Sequence, residues 1–194
     1  IDCNRSLSMD KASLRRRLLS SLSVFEGKEK ESEIIRETLL SLPFYRSAET
    51  ILAFAPLSSE PDISPLLSDP RILLPFITAE GTMEFGKGKM KRNSLGFLEP
   101  EDRRREEYKE AIMLTPLLGA DRLCRRIGRG KGFYDRYIEK NGYRLFKIGL
   151  AFTISIVDEI PVENNDMTLD MVITGDGSIF KRKGTDISTD AVDL

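Results

Sequence analysis

The chain of 194 residues contains no histidine and no tryptophan. The lack of histidine excludes Ser-His and Cys-His catalysis as well as histidine-ligated zinc. The two cysteines, Cys3 and Cys124, are too few for a disulfide framework and do not have a metal-ligand spacing. Any chemistry must therefore use carboxylates, lysine, arginine, tyrosine, backbone amides or a bound cofactor.

Long apolar runs are also missing from the sequence. No stretch approaches the roughly 20 residues of a membrane span, and no charged-then-apolar leader stands before a cleavage site. With 40% hydrophobic and 31% charged residues, the composition is that of a soluble globular protein. We therefore predict a cytoplasmic protein with no membrane contact, and the length favours a single domain.

The net charge of −1 conceals a local excess of positive charge. Six cations stand against two acids between Asp121 and Arg136, an excess of four. Shorter basic blocks lie at residues 15–17, 103–105 and 181–183. Such blocks are most often solvated faces, whereas the cations of the first segment alternate with glycine and need a separate interpretation.

Two amphipathic helices are predicted near the start of the chain. Leucines recur every four residues between 14 and 22, which predicts a helix over 10–22 with Asp10 as its N-cap. A second helix is predicted over 29–42, with Pro43 just beyond its end.

Short apolar runs of strand length follow, at residues 51–55, 72–74, 111–115, 145–152 and 171–174. A helical stretch over 134–141 separates two of these runs. Continuous apolar strands interleaved with helices are typical of an α/β domain whose sheet is covered on both faces. We predict a single three-layer α/β domain with a central, mostly parallel or mixed sheet flanked by helices. The strand order does not follow from the sequence.

The boundaries of the predicted domain are residues 9 and 183. Residues 1–8 precede a clean helix start, and residues 184–194 have the composition of a tail, so both segments are predicted to lie outside the domain. Residues 87–110 are polar and rich in charge. They are interpreted as a loop region that contains a hairpin and has room for a short helix.

The segment "GRGKGFYDR" at residues 128–136 alternates glycine with charge and then begins a helical pattern. Its three glycines permit strained backbone conformations, and successive amides in such a loop can form a concavity that binds anions. The start of a helix near Phe133 would add free N–H groups and its dipole. Neither the G-x-x-x-x-G-K-[ST] loop nor the G-x-G-x-x-G loop fits. From the residues alone, a phosphate-binding loop and a glycine-rich hairpin with incidental cations both remain open.

The longer segment "RIGRGKGFYDR", residues 126–136, resembles the signature R-L-G-x-G-x-G-Y-Y-D-R of the 5-formyltetrahydrofolate cyclo-ligase family. Three other segments resemble family motifs in the same order. "KASLR" at 11–15 is similar to K-x-x-L-R, and "FAPLSSEPDISPLL" at 54–67 is similar to the stretch with a folate-contacting Glu. "PVENNDMTLDMVIT" at 161–174 is similar to P-V-E-x-H-D-x-x-x-D-x-V-x-T.

The resemblance implies an enzyme with an α/β fold. It would convert 5-formyltetrahydrofolate and ATP into 5,10-methenyltetrahydrofolate, ADP and phosphate, with Mg²⁺ as the cofactor. ATP would phosphorylate the formyl oxygen, and N10 would then attack the activated carbon. Such a step needs positioning and charge neutralisation rather than a protein nucleophile, so a chain without histidine can perform it. The partners would be small molecules with no nucleic acid, and the chain would be a monomer.

Carried over residue by residue, the family motifs assign the nucleotide to two parts of the chain. ATP would contact Lys11 and Arg15, which lie four residues apart on one helix face, and the segment of Arg126, Ile127, Gly128, Arg129, Gly130, Lys131, Gly132, Phe133 and Tyr134. Within that segment the catalytic residues would be Lys131, Arg126 and Tyr134, and the two cations would neutralise charge on the transferring phosphoryl group.

The same motifs assign the folate and the metal. The folate substrate would contact Ala55, Glu60, Arg129, Gly130, Lys131, Gly132 and Phe133. Asp135 and Asp166 would hold Mg²⁺, directly or through water, because that ion prefers oxygen ligands.

Several departures from the family pattern bear on the predicted site. Phe133 stands in place of the first Tyr, which removes a hydroxyl but keeps a ring for stacking. Asn165 replaces a frequent His, Ile63 replaces a frequent Thr, and Cys124 replaces a Gly in the approach to the glycine loop. This last change is expected to alter the turn before the loop.

Two other functions remain open at this point. The basic blocks could mark an RNA-binding module whose affinity comes from phosphate neutralisation. Against that interpretation, few aromatic residues lie beside the basic blocks. The second alternative is a nucleotide- or folate-binding protein with little or no catalysis.

Overall fold

A seven-stranded sheet forms the centre of the computed structural model, which describes residues 9–92, 98–164 and 166–185. The four helices are α1 Lys11–Val24, α2 Lys28–Ser41, α3 Pro43–Ser47 and α4 Phe133–Asn141. The strands are β1 Ile51–Leu52, β2 Ile72–Ile77, β3 Met83–Gly86, β4 Met90–Arg92, β5 Leu98–Pro100, β6 Ala111–Thr115, β7 Gly119–Ala120, β8 Arg126–Ile127, β9 Leu145–Ala151, β10 Met171–Thr174 and β11 Ile179–Lys181. Short 3₁₀ helices cover Ser64–Leu66, Gly142–Arg144 and Thr153–Ser155.

The strand order of the large sheet is β11-β10-β9-β6-β1-β2-β3. The five strands from β10 to β2 pair in parallel, whereas β11 and β3 add to the two edges in antiparallel orientation. Two separate antiparallel pairs, β4–β5 and β7–β8, complete the described strands. The predicted α/β domain with a mostly parallel or mixed sheet is confirmed.

Both faces of the large sheet are covered, because successive residues of a strand point to opposite sides. In β6, Ile112 and Leu114 belong to the core that also contains Ile35 and Leu39 of α2. Alternate β6 residues, including Met113, pack in a second core with side chains of α4. The predicted three-layer arrangement is therefore present. A third core, formed by the leucines of α1, contacts β8 and the end of β9.

The helix predictions hold with small shifts at their ends. Asp10 is the N-cap of α1, and its Oδ1 accepts a hydrogen bond from the Ser13 amide at 2.7 Å. Helix α2 ends before Pro43, as predicted, but Pro43 also starts the short helix α3, which the sequence interpretation missed. Proline suits that position because the first helical residue needs no donated N–H.

The polar region over 87–110 contains the predicted hairpin as β4 and β5. Its described residues, 87–92 and 98–110, include no helix, so the short helix that the sequence allowed is not found among them. The predicted tail at 1–8 lies outside the described residues, and so does the predicted tail at 184–194 from residue 186 onwards. Asn165 also lies outside them. Within the described chain, no helix has the combined length and apolar character to cross a membrane.

Candidate active site

The glycine loop, residues 128–132, joins the end of β8 to the first residue of α4. Gly130 and Gly132 have φ values of 94° and 67°, in the left-handed region that glycine adopts without strain. Gly132 is the N-cap of α4, and its carbonyl accepts the Arg136 amide at 3.1 Å. The loop therefore leads directly into a helix N-terminus, as the sequence predicted.

Arginine side chains hold the outside of this loop. The Arg15 Nε donates to the Gly128 carbonyl at 2.9 Å, and the Arg129 guanidinium donates to the Ser59 hydroxyl. Arg136 Nη1 donates to the Lys131 carbonyl at 3.2 Å, and its Cζ lies 5.1 Å from the centre of the Phe133 ring. The loop is thus tied to α1, to the segment after β1 and to its own helix.

The loop forms part of the lining of a cavity of about 250 Å³ whose remaining lining is mostly apolar. Eleven of the residues predicted for the site line this cavity: Ala55, Glu60, Arg126, Gly128, Arg129, Gly130, Lys131, Gly132, Phe133, Tyr134 and Asp135. Ile127 instead packs in the core with the leucines of α1. Lys11, Arg15 and Asp166 also lie outside the lining, although Arg15 contacts the loop.

Glu60 presents a buried carboxylate to the cavity, with 8% of the residue exposed. Its Oε2 accepts the Leu57 amide at 2.9 Å, and its Oε1 lies 3.6 Å from Arg129 Nε. Burial raises the pKa of the Glu60 carboxyl above its ordinary value, while the Leu57 amide and Arg129 oppose this rise. Burial also raises the pKa of the Tyr134 hydroxyl, which therefore stays protonated and can donate a hydrogen bond.

Arg126 is a buried cation whose side chain is only 5% exposed. Its Nη2 donates to Asp135 Oδ1 at 2.6 Å. Its Nε is buried and has no hydrogen-bond partner among the described residues. A buried donor without a partner is costly, and Arg126 lines the cavity, so its guanidinium is suited to donate a hydrogen bond to a ligand oxygen there.

Lys131 differs from Arg126 because its side chain is exposed. Its ammonium makes no hydrogen bond or ion pair with any other described residue. No carboxylate of the described residues pairs with this lysine, so its ammonium is available to an anionic ligand at the cavity.

The two predicted metal ligands are each paired with a cation. Asp135 bonds Arg126, and Asp166 bonds Lys11, whose ammonium also lies 3.2 Å from Glu163 Oε2. The described residues contain no group of three or more carboxylate, cysteine or histidine side chains that could hold a metal ion. An all-protein Mg²⁺ cage is thus absent from the described part, and the two carboxylates fit this ion only if phosphate oxygens and water complete the coordination.

Cys124, at the position where the family pattern has glycine, has a φ of 62°. This left-handed conformation is the one that glycine adopts without strain, so it suits a position where the family pattern has glycine. The Cys124 thiol is buried and donates to the Phe180 carbonyl at 3.5 Å. Burial raises its pKa to about 11, so it stays a thiol at neutral pH and is not a nucleophile.

Sequence reasoning missed the rest of the cavity lining. Strand β2 runs through Pro75 to Ile77, and together with β3 and β5 it adds the apolar residues Pro75, Phe76, Ile77, Met83 and Leu98. Glu99 of β5 also lines the cavity. The continuing apolar run "ILLPFI" was an available signal for β2. The sequence shows no pattern that would separate Glu99 from the other acids of its polar region.

Comparison with known proteins supports the resemblance over most of the chain. The model of the 5-formyltetrahydrofolate cyclo-ligase family matches residues 7–175. A 5-formyltetrahydrofolate cyclo-ligase of Mycolicibacterium smegmatis is 32% identical over 182 residues, which cover 84% of this chain and 93% of the relative. One from Escherichia coli is 26% identical over 175 residues, covering 82% and 94%.

A solved structure agrees with the fold. The NMR structure of Aquifex aeolicus 5,10-methenyltetrahydrofolate synthetase superimposes with a TM-score of 0.74 at 22% identity and covers 90% of this chain and 94% of its own. At this identity the match supports the α/β fold alone. The family model and the M. smegmatis relative confirm the prediction of an enzyme of this family. The chain belongs to the 5-formyltetrahydrofolate cyclo-ligase family.

Proposed function

We propose that this protein converts 5-formyltetrahydrofolate and ATP into 5,10-methenyltetrahydrofolate, ADP and phosphate, with Mg²⁺ as the metal. One observation carries the proposal beyond family membership. A glycine loop at a helix N-terminus shares one cavity with three cations and the buried acceptor Glu60. Phosphate and an N–H-bearing heterocycle are the two ligand types that such a lining recognises.

The proposed reaction has two steps. The formyl oxygen of the N5 amide attacks the γ-phosphorus of ATP, an O–P bond forms and ADP leaves. N10 then attacks the activated formyl carbon and loses its proton, while the C–O bond breaks and phosphate leaves. Both steps require the reacting atoms to be held close together more than they require a covalent intermediate on the protein.

Each cavity residue has a defined part in this proposal. Arg126 and Lys131 neutralise charge on the transferring phosphoryl group, and the amides of residues 128–132 bind phosphate oxygens. Glu60 accepts a hydrogen bond from the pterin, and the Phe133 ring stacks on a heterocycle. The protonated Tyr134 hydroxyl donates to a substrate oxygen. Ala55 forms a small contact surface beside the folate.

Lys11 and Arg15 complete the nucleotide site from α1. Arg15 already bonds the glycine loop, and Lys11 lies four residues earlier on the same helix. Asp135 and Asp166 would hold Mg²⁺, which would neutralise phosphate charge when bound. Because each carboxylate is paired with a predicted ATP-binding cation, nucleotide binding would exchange partners: the cations pass to phosphate and the carboxylates become available to the metal.

The test is a turnover assay with the purified chain. The protein is mixed with 5-formyltetrahydrofolate, ATP and Mg²⁺, and the near-ultraviolet absorbance of the methenyl product is followed. We expect product that depends on all three additions and accumulates together with ADP. ATP binding without folate turnover would instead support a binding protein that lacks catalysis. A salt-sensitive shift of RNA without ATP binding would support the RNA-binding alternative.

The remaining expectations also belong to this proposal. The chain is proposed to act on small molecules as a monomer in the cytoplasm, without a nucleic-acid or membrane partner. The proposed domain spans residues 9–183. Light scattering during size-exclusion chromatography tests the monomer directly.

A further inference from the structure

Arg136 closes the signature segment, yet the proposed reaction gives it no part. It is the fourth residue of α4, it is exposed, and it does not line the cavity. No carboxylate of the described residues forms an ion pair with it; its neighbour Asp135 pairs with Arg126 instead. A cation in the first turn of a helix is opposed by the helix dipole. The position of Arg136 therefore needs an explanation other than an ion pair or helix stability.

The guanidinium of Arg136 bonds the backbone of the glycine loop from outside the cavity. Its Nη1 donates to the Lys131 carbonyl at 3.2 Å. Because a trans peptide unit is planar, a carbonyl and the N–H of the next residue point in opposite directions. The bond therefore turns the Gly132 N–H away from Arg136, and Gly132 itself lines the cavity. No described residue accepts a hydrogen bond from that N–H.

The absence of a side chain at Gly132 makes room for this contact. A Cβ there would lie 2.8 Å from Arg136 Nη1, the atom that bonds the Lys131 carbonyl. A side chain at this position would thus push the guanidinium off the carbonyl. The positive φ of Gly132 and its contact with Arg136 are two separate reasons for glycine at the last position of the loop.

The same guanidinium also holds an aromatic ring of the cavity. Its Cζ lies 5.1 Å from the centre of the Phe133 ring, and Phe133 lines the cavity. Arginine can make both contacts at once, because its planar group donates at its edge and stacks through its face. Arg136 therefore touches a peptide unit proposed to bind phosphate and a ring proposed to stack on a heterocycle.

We propose that Arg136 is a positioning residue of the active site: it orients the Gly132 amide for a phosphate oxygen and holds the Phe133 ring for the heterocycle. This inference rests on the proposed function. Direct binding of phosphate by Arg136 is a weaker interpretation, because its guanidinium lies outside the cavity lining and already contacts the protein. A general attraction by its positive charge is the other alternative, and it requires no particular geometry.

The test is calorimetry of ATP and of 5-formyltetrahydrofolate, each titrated alone into the full chain. Arg136→Met keeps an unbranched stem without the charge, and Arg136→Lys keeps the charge without the planar group. Both variants should lose roughly 3- to 10-fold in ATP affinity, the range for one hydrogen bond. Both should also lose several-fold in folate affinity, since neither side chain can bond the carbonyl and stack on the ring together.

Arg122→Met is the matched control for these variants. Arg122 is also an exposed arginine over an aromatic ring, with its Cζ 5.3 Å from the centre of Phe180, but it does not line the cavity. Its substitution should leave both affinities unchanged. A thermodynamic cycle then links Arg136 to the ring: in a Phe133→Ala chain, adding Arg136→Met should cause little further loss of folate affinity.

Four results would overturn the inference while leaving the proposed function intact. The first is unchanged affinity for both ligands in folded Arg136→Met. The second is the original affinity for both ligands in Arg136→Lys, since charge alone would then suffice. A loss confined to ATP would indicate a direct phosphate contact, and fully additive folate losses in the cycle would separate Arg136 from the ring. If the original chain binds neither ligand, the proposed function itself fails, which is a separate and recognisable outcome.

Discussion

Arg126 is the first residue of β8 and Arg125 directly precedes it. Each of these two arginines forms an ion pair, but the two pairs differ in how completely their hydrogen-bonding groups are satisfied. Arg125 Nε lies 2.5 Å from Asp121 Oδ2. The Asp121 carboxylate is fully buried and also accepts the amides of Leu123, Arg125 and Ile160 at 2.9, 3.1 and 3.0 Å. This carboxylate has four protein donors and no remaining capacity for a ligand.

Arg126 pairs with Asp135 at a similar distance, 2.6 Å, but its Nε has no partner among the described residues. It also lines the cavity, which Arg125 does not. A saturated ion pair stabilises a turn, whereas an unsaturated pair at a cavity retains a donor for a ligand. Sequence position and charge therefore do not distinguish the arginine that can bind a ligand from the one that stabilises the fold. The number of its donors that already have protein partners does distinguish them.

The largest effect is expected at Lys131, a cavity cation that has no hydrogen-bond or ion-pair partner among the described residues. Lys131→Ala should slow turnover by ~10²-fold or more, because the charge on the transferring phosphoryl group loses a stabilising cation. The unfolding midpoint should not change. Turnover rates and thermal unfolding check both statements.

Lys140→Ala is the matched control for this variant, since Lys140 is an exposed lysine in the last turn of α4. It should keep full activity. Equal activity in the Lys131 and Lys140 variants would contradict the assignment of Lys131 to phosphate.

The saturated pair is expected to affect stability instead. Asp121→Asn removes the charge that Arg125 and three amides contact, and we expect a loss of about 2–3 kcal/mol in the free energy of unfolding. Glu159→Gln should cost under ~1 kcal/mol, because this exposed acid lies 3.4 Å from the same arginine. Chemical denaturation measures both values, and equal losses in the two variants would refute the distinction.

A smaller effect is expected at Phe133, where the chain departs from the family pattern. If the ring stacks on a heterocycle, Phe133→Ala should weaken folate binding by ~1–3 kcal/mol, the range for bases stacked on aromatic residues. Phe133→Tyr keeps the ring and should be nearly neutral. Unchanged folate affinity in the Ala variant would show that the ring only packs against its neighbours.

The smallest effect is expected at the two carboxylates paired with cations. Asp135→Asn and Asp166→Asn should each raise the Mg²⁺ concentration for half-maximal turnover by several-fold, and the double variant should lose less than the sum, because the two residues act as one unit. ATP affinity measured without Mg²⁺ should rise in Asp166→Asn, since Lys11 is released from its partner. An unchanged Mg²⁺ requirement with additive losses would refute a shared metal site.

The sequence predicted the parts of the fold that depend on local pattern. Leucine spacing identified α1, Asp10 its cap, and the apolar runs the parallel strands. The alternation of glycine and cations correctly placed a loop before α4. These features are set within about fifteen residues, so a pattern can show them.

The missed features depend on contacts between distant segments. Glu99 reaches the cavity only because β5 packs beside β2, and its region is simply polar in the sequence. Neither the different partners of Arg125 and Arg126 nor the pairing of Lys11 with Asp166, 155 residues away, has a local signal.

The most direct test of the account is an ATP titration of the original chain, Arg126→Gln and Arg125→Gln at a temperature where all three are folded. The account predicts at least a tenfold loss of ATP affinity in Arg126→Gln, as expected for a charge-assisted bond of about 1.5–3 kcal/mol. It predicts unchanged affinity and a lower unfolding midpoint in Arg125→Gln. Equal ATP affinities for the two variants would contradict the claim that the glycine loop and its unsaturated arginine form the nucleotide site.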